Sequence, residues 1–197
     1  MLRRQNRKQA TREDILAAAR RLFAAHGWDG TTTKMVAADA GVAVGTVFLH
    51  FPDKGALLGA ALHDRIARVL EEAFRTLPAE GLVAQLTHLA GALYTMYAED
   101  PALSRVLVKE SLFLVDGEAA DAVRAQLERF SADVAGLIVA ARGRGEADLD
   151  PTLGAAAFFS LYFAVLVAGL RDGLPVGAQL AMLRSLLELC FRPGRAS

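Results

Sequence analysis

Apolar residues recur every three or four positions along almost all of this 197-residue chain. That spacing is typical of α-helices that bury one face, and alternating runs flanked by hairpin turns do not occur. We expect the first helix to start at Thr11, whose hydroxyl can cap it, and to end at Gly27. Its apolar face is formed by Ile15, Leu16, Ala19, Leu22 and Phe23.

Eight further helices are predicted along the rest of the chain. Gly41 separates the second from the third, and Asp53 caps the fourth, which Pro78 closes. Their expected ranges are about 33–40, 44–51, 54–77, 80–99, 101–115, 118–142, 151–172 and 176–191. The sequence therefore predicts an all-α fold of about nine helices.

The second and third helices have the layout of a helix-turn-helix. Such a motif needs a small residue where its helices cross and a turn residue that tolerates a positive φ, and Ala37 and Gly41 meet these needs. Thr46 and Val47 lie early in the third helix, at the end expected to enter a DNA major groove.

Charge is distributed unevenly although the net charge is zero. Residues 1–54 contain nine lysines and arginines against five acidic residues, whereas the remainder contains thirteen against seventeen. A basic N-terminal part and an acidic C-terminal part indicate that only the N-terminal part binds a polyanion.

Many residues between Thr11 and Leu58 resemble the DNA-binding domain of the tetracycline-repressor (TetR) family of bacterial regulators. The matching segments are Ile15-Leu16-Ala17-Ala18-Ala19, Leu22-Phe23, Gly27, Thr32-Thr33, Val36-Ala37, Ala40-Gly41-Val42, Gly45-Thr46-Val47-Phe48, His50-Phe51 and Lys54. The resemblance implies a helix-turn-helix domain over 1–54 with a basic arm over 1–10. It also implies a helical effector-binding and dimerisation domain over 55–197.

The same resemblance assigns DNA-binding roles to eight residues. Lys34 would reach a base or a phosphate, and the base-facing start of the recognition helix would be Val44, Gly45 and Thr46. The phosphate backbone would be gripped by Thr33, Phe48, His50 and Lys54.

Two positions depart from the family pattern. Phe48 replaces the usual tyrosine and lacks its hydroxyl, and Ala43 replaces the usual capping serine. Because this region offers few hydrogen-bonding groups, we expect base reading through Lys34, Thr46, apolar contact with thymine methyls and DNA shape. The arm over 1–10 is either a solubilising tail or a minor-groove contact.

The rear half is expected to enclose a mainly apolar effector pocket. Its candidate lining residues are His88, Tyr94, Tyr97, Phe113, Phe130, Phe159 and Tyr162. Such a pocket suits a lipophilic small molecule that would release the protein from its operator. Two alternatives remain: a DNA-binding regulator controlled by a protein partner, and an all-α enzyme or carrier with an incidental helix-turn-helix.

The uncharged segment 151–170 is long enough to span a membrane. Its alanines, Gly154 and Ser160 dilute its apolar character, and a helix apolar all round also suits a dimer core. The resemblance implies a homodimer that reads a palindromic operator in double-stranded DNA. The candidate interface residues are Phe158, Phe163, Leu166, Leu183 and Leu187.

Candidate chemistry is otherwise sparse. The four histidines lack metal-ligand spacing, and the loop carboxylates Glu146, Asp148 and Asp150 lack the pattern of a calcium loop. We expect no catalytic residues, metal or cofactor. A lone cysteine, Cys190, and a basic N-terminus with no apolar leader after it indicate a cytoplasmic protein.

Overall fold

The structure, a computed structural model, describes residues 2–112 and 118–191. All regular secondary structure in these two stretches is α-helical. The helices are α1 (Leu2–Gly30), α2 (Thr33–Asp39), α3 (Val44–His50), α4 (Lys54–Arg75), α5 (Leu82–Ala98), α6 (Pro101–Leu112), α7 (Glu118–Gly143), α8 (Pro151–Asp172) and α9 (Val176–Cys190). The all-α prediction is confirmed, with nine helices in the described residues.

The start predicted for α1 is wrong. The helix begins at Leu2, so the basic arm is helical from that residue onward. Instead of capping a helix, the Thr11 hydroxyl donates to the Arg7 carbonyl at 3.0 Å. A threonine hydroxyl can be satisfied in this way inside a helix, and arginine, lysine and glutamine favour helix.

Two predicted helix signals, Gly27 and Asp53, are present in the structure, and Asp150 adds a cap that was not predicted. Gly27 has φ 65° and interrupts the helical path of α1. The Ala56 amide donates to the Asp53 carboxylate at 2.7 Å at the start of α4. Asp150 accepts from the first amides of α8, so this carboxylate of the acidic loop has a structural task.

The helices form two compact units. The first comprises Met1–Arg65 and Ala102–Val123, and the second comprises Ile66–Pro101 and Arg124–Ser197. The core of the first includes Ile15, Phe23, Val36, Val47, Phe51 and Leu57, all at most 1% exposed. The core of the second includes Leu86, Leu89, Ile138, Phe158, Leu183 and Leu187. The domain boundary between residues 54 and 55 stays a prediction.

Four of the five predicted dimer-interface residues lie inside the subunit core. Phe158, Leu183 and Leu187 are 0% exposed and Leu166 is 2% exposed, so none can contact a second copy. The prediction is wrong for these four because α8 is apolar all round and its spacing does not reveal the outward face. Phe163 is half-buried. The large apolar side chains that do point outward from α8 and α9 are Leu153, Val167, Met182 and Leu189.

Within the described residues, α8 is also the one helix whose length and composition would allow it to cross a membrane. In its most apolar window, 44% of the residues are buried inside the protein. A core helix of a soluble protein has the same character, so the segment is accounted for by packing against α9 and α5.

The contact of α8 with α9 yields a stability prediction. A Cβ on Gly169 would overlap the amide of Gln179, which is buried and donates to the Leu174 carbonyl at 2.8 Å. Gly169→Ala should therefore lower the free energy of unfolding by about 1–3 kcal/mol in urea denaturation followed by circular dichroism.

The matched control is Gly136→Ala, in the middle of α7, where an added Cβ meets nothing within 4 Å. This change should raise the free energy of unfolding by about 0.5–1 kcal/mol, since alanine favours helix over glycine. Equal effects of the two substitutions would contradict the packing described for Gly169.

Candidate nucleic-acid interface

Helices α2 and α3 are joined by a tight turn whose geometry the local sequence explains. The Thr32 side chain caps α2 by accepting from the Met35 amide at 3.2 Å. Gly41 has φ 67°, which glycine adopts without strain, and the Val42 amide then donates to the Ala37 carbonyl at 2.9 Å. Ala43 precedes α3 in an extended conformation and provides no side-chain cap.

Burial fixes which face of α3 points outward. Val47 and Phe51 are each 1% exposed and lie four residues apart, on the side that packs into the first unit. Val36 and Ala37 of α2 are buried in the same core. On the other sides of α3, Val44, Phe48 and Leu49 are exposed.

The eight predicted DNA-binding residues lie on α2, α3 and the first position of α4. Among them Lys34, Val44, Gly45 and Phe48 are exposed, and Thr33, Thr46, His50 and Lys54 are half-buried. Phe51 is core, whereas the Phe48 ring is 48% exposed, so the two phenylalanines have different roles.

The sequence reasoning missed Leu49, which is 81% exposed. Together with Val44 and Phe48 it gives α3 an apolar outward face, which we call the α3 apolar face. The signal was available, because a leucine two residues from both Val47 and Phe51 cannot share their side of a helix.

Lys54 contacts the end of α1. Its ammonium donates to the Trp28 carbonyl at 2.5 Å and lies 4.1 Å from the centre of the Trp28 ring. The Trp28 ring in turn stacks on Phe23 at 6.0 Å. Partial burial lowers the pKa of Lys54, and the nearby Asp29 carboxylate acts in the opposite direction. The predicted phosphate contact stays a prediction, and Lys54 has this second, structural task.

Thr31 anchors the segment between α1 and α2. It is 0% exposed, and its hydroxyl lies 3.0 Å from the Leu22 carbonyl and 2.8 Å from the Gly27 carbonyl. An ion pair between Arg21 and Asp39, 2.6 Å apart, joins α1 to α2 at the surface. These contacts hold α2 against α1.

α6 contacts the start of α4. The Glu110 carboxylate lies directly over Gly55, so that any side chain at this position would overlap it. A negative charge beside the first turn of a helix is favourable, because the amide groups there carry partial positive charge. This contact links α6 to the helix that starts at Lys54.

The second unit contains most of the predicted effector-pocket residues. Tyr94 and Tyr162 stack at 5.4 Å, and the Tyr94 hydroxyl donates to the Tyr162 carbonyl at 2.9 Å. The Tyr97 and Tyr162 side chains are hydrogen-bonded to each other. Burial raises the pKa of Tyr94 and of Tyr162, so both phenols are neutral at physiological pH.

Two grooves in this unit contain predicted pocket residues. His88 lines one of about 640 Å³ and lies 3.1 Å from the Ala73 carbonyl. Phe130 lines another of about 420 Å³, between α4 and α7, and its ring packs edge-on against Phe159 at 4.9 Å. Phe113 lies outside the described residues. The roles of all these residues as effector contacts stay predictions.

Residues 15–61 match the family model described as bacterial regulatory proteins, tetR family. The HTH-type transcriptional repressor AcnR of Corynebacterium efficiens is 38% identical over 73 residues, 37% of this chain and 37% of AcnR. The alignments with four such repressors span only 32–42% of the relatives' length. The chain therefore aligns with about two fifths or less of the length of these relatives.

Solved structures extend the likeness of fold to most of the chain. Salmonella enterica GusR is 27% identical with a TM-score of 0.62, covering 92% of this chain and 95% of GusR. The regulator FadR from Bacillus subtilis, in complex with stearoyl-CoA, is 21% identical with a TM-score of 0.66, covering 90% of this chain and 96% of FadR.

The contact of Lys54 with Trp28 yields the second prediction. Lys54→Met removes a charged hydrogen bond and a cation–π contact, so it should lower the free energy of unfolding by about 1–3 kcal/mol. Trp28 is the single tryptophan of the chain, so its fluorescence follows unfolding at this site.

Lys34→Met is the matched control, because Lys34 is exposed on α2. It should change the free energy of unfolding by less than about 0.5 kcal/mol. If Lys54→Met were equally harmless, the structural task of Lys54 would be refuted.

Proposed function

We propose that this chain, which belongs to the TetR family of bacterial regulatory proteins through its N-terminal region, is a sequence-specific transcriptional regulator. It acts as a repressor in this proposal, since a protein bound at an operator excludes other proteins from it. The observation that carries the proposal is the outward face of α2 and α3. The family match over 15–61 covers the helices that hold this face in place.

In the proposed complex, α3 enters the major groove. Val44, Gly45 and Thr46 approach base edges there, and Lys34 reaches a base or a phosphate. Thr33, Phe48, His50 and Lys54 lie against the phosphate backbone. The α3 apolar face adds Leu49, whose exposed methyl groups suit contact with the C5-methyl of thymine.

The regulator acts as a homodimer in this proposal. The exposed side chains of Leu153, Val167, Met182 and Leu189 on α8 and α9 give a second copy an apolar surface to cover. A two-fold dimer presents two copies of α3 and so reads a palindromic operator.

In this proposal a small effector binds the C-terminal helices and controls DNA binding. In the proposed division, residues 1–54 bind DNA and residues 55–197 bind the effector and the second copy. The effector acts by favouring one arrangement of α4, whose first turn contacts Glu110 of α6. FadR, a protein of similar fold, has stearoyl-CoA bound, which supports a lipophilic effector here. Such a protein works in the cytoplasm, where the genome lies.

Selection of bound fragments from random double-stranded DNA tests the proposal. We expect a palindromic consensus whose binding weakens steeply as salt rises, because lysine contacts to phosphates displace counterions. Recovery of no consensus, together with salt-insensitive binding, would remove the DNA-binding function altogether.

The α3 apolar face yields a further prediction on the selected DNA. Replacing a contacted thymine by uracil removes only the C5-methyl, which should weaken binding of the wild-type protein about three- to fourfold. Leu49→Ala should weaken binding to the thymine site and lose this discrimination, as measured by fluorescence anisotropy at fixed salt.

The matched control is Leu127→Ala, the same substitution at a 50% exposed leucine on α7. It should leave the thymine preference at the wild-type value. Undiminished discrimination by the Leu49→Ala protein at every position of the operator would rule out Leu49 as a methyl reader.

A further inference from the structure

Two different groups of Trp28 hold the ammonium of Lys54. The ammonium donates to the Trp28 carbonyl at 2.5 Å, and it lies 4.1 Å from the centre of the Trp28 ring. That ring stacks on Phe23, which is 1% exposed, at 6.0 Å with 9° between the ring planes. A surface lysine is usually flexible and keeps many rotamers. Lys54 instead has its charged end fixed against a ring that the core of the first unit supports.

This arrangement leaves one N–H group of the ammonium for a partner outside the chain. An ammonium has three N–H groups, and Trp28 is its one hydrogen-bond partner within the described residues. The carbonyl accepts one N–H group, and the ring face attracts a second. The Asp29 carboxylate attracts the ammonium only at longer range, and Lys54 is half-buried rather than buried. The third N–H group therefore suits an external acceptor that carries negative charge.

Lys54 lies beside the helix proposed to enter the major groove. Phe51 follows α3 and is buried in the first unit, and only Pro52 and Asp53 separate it from Lys54. The major groove is about 12 Å wide, and phosphates border it on both sides. A duplex that accepts α3 therefore brings phosphate oxygens near the start of α4.

Fixing Lys54 before DNA binds should strengthen its contact with a phosphate. A long side chain loses rotamer freedom when it binds an anion, and that loss weakens binding. Here the Trp28 ring already restricts Lys54 in the free protein, so less freedom is lost on the DNA. A lysine without the ring would keep its charge but would reach the phosphate from many rotamers.

We propose that Trp28 is a positioning residue of the DNA-binding surface: its ring and carbonyl hold the Lys54 ammonium so that the remaining N–H group donates to a DNA phosphate. Trp28 acts through Lys54 and does not need to touch the duplex. This inference rests on the proposed function, because it requires a duplex bound at α3. It gives α1, the helix that contains Trp28, a role in DNA binding.

Fluorinated tryptophans test the ring with little change in its shape. Trp28 is the single tryptophan of the chain, so biosynthetic incorporation of mono-, di- and trifluorotryptophan alters this ring alone. Each fluorine withdraws electron density from the ring face and weakens its attraction for a cation. Affinity for a labelled selected duplex, measured by fluorescence anisotropy at fixed salt, should fall stepwise to about one third. In the Lys54→Met protein the same series should leave the affinity unchanged.

A double-mutant cycle tests the same link by substitution. Lys54→Met should weaken binding about tenfold and lower the slope of log affinity against log salt by about one, because one phosphate contact is lost. Trp28→Leu should weaken binding about three- to fivefold, and Trp28→Phe should weaken it less because a ring remains. Adding Trp28→Leu to Lys54→Met should cause no further loss.

The control for the cycle is Phe159→Leu, at a half-buried ring of the second unit, which should leave the affinity unchanged. Circular dichroism at the temperature of the binding measurement establishes that each variant is folded. The fluorinated proteins keep the test decisive if Trp28→Leu does not fold.

Three outcomes would overturn the positioning role while the wild-type protein still binds the duplex. They are an affinity that fluorination does not change, an equal loss on fluorination in the wild-type and Lys54→Met proteins, and a Lys54→Met protein that binds as tightly as wild type. An equal loss would mean that the ring supports the fold without acting through Lys54. Failure of the wild-type protein to bind any selected duplex would overturn the proposed function, and the positioning role with it.

Discussion

The position of α3 on the protein surface depends on the contacts made at the end of α1. At Gly27 the chain leaves the helical path with a positive φ. The buried Thr31 hydroxyl lies within hydrogen-bond distance of the Leu22 and Gly27 carbonyls. Lys54 binds the Trp28 carbonyl of the same segment, which joins the start of α4 to it. One short segment thereby sets the positions of α2 and α4 on either side of α3. Hydrogen bonds depend on direction, so these contacts define the relative positions of the helices more closely than apolar packing alone would.

Burial then decides what α3 can offer to a partner. Val47 and Phe51 use the inward side, which leaves Val44, Phe48 and Leu49 as an apolar outward face. Exposed apolar clusters on a helix are costly in water and usually mark a surface that another molecule covers. In the proposed DNA complex, such a face favours methyl contacts and DNA shape over hydrogen bonds.

The sequence was sufficient where a single residue type decides the backbone. Gly41, Asp53 and Gly27 mark a turn, a cap and an interruption, and the structure has each of them at these positions. The start of α1 was not predictable from Thr11, since its hydroxyl can bond either as a cap or to the preceding turn. The outward side of α8 was not predictable either, because apolar residues surround that helix.

Contacts between residues far apart in the chain could not be predicted from the sequence either. Lys54 lies 26 residues from the Trp28 carbonyl that it binds, and Phe74 and Gln126 line one groove between α4 and α7. No local periodicity reports such pairings, and each depends on packing between helices. The pattern around Thr46 and Lys34, in contrast, is contained in one short stretch and led directly to a DNA-binding interpretation.

In the proposed complex, two copies of this chain read one palindromic duplex through α3. Sedimentation of the full chain with a selected palindromic duplex, over a range of salt concentrations, measures this stoichiometry. Two chains should bind each duplex, with an affinity that falls steeply as salt rises. A complex of one chain per palindrome, or an affinity independent of salt, would contradict it.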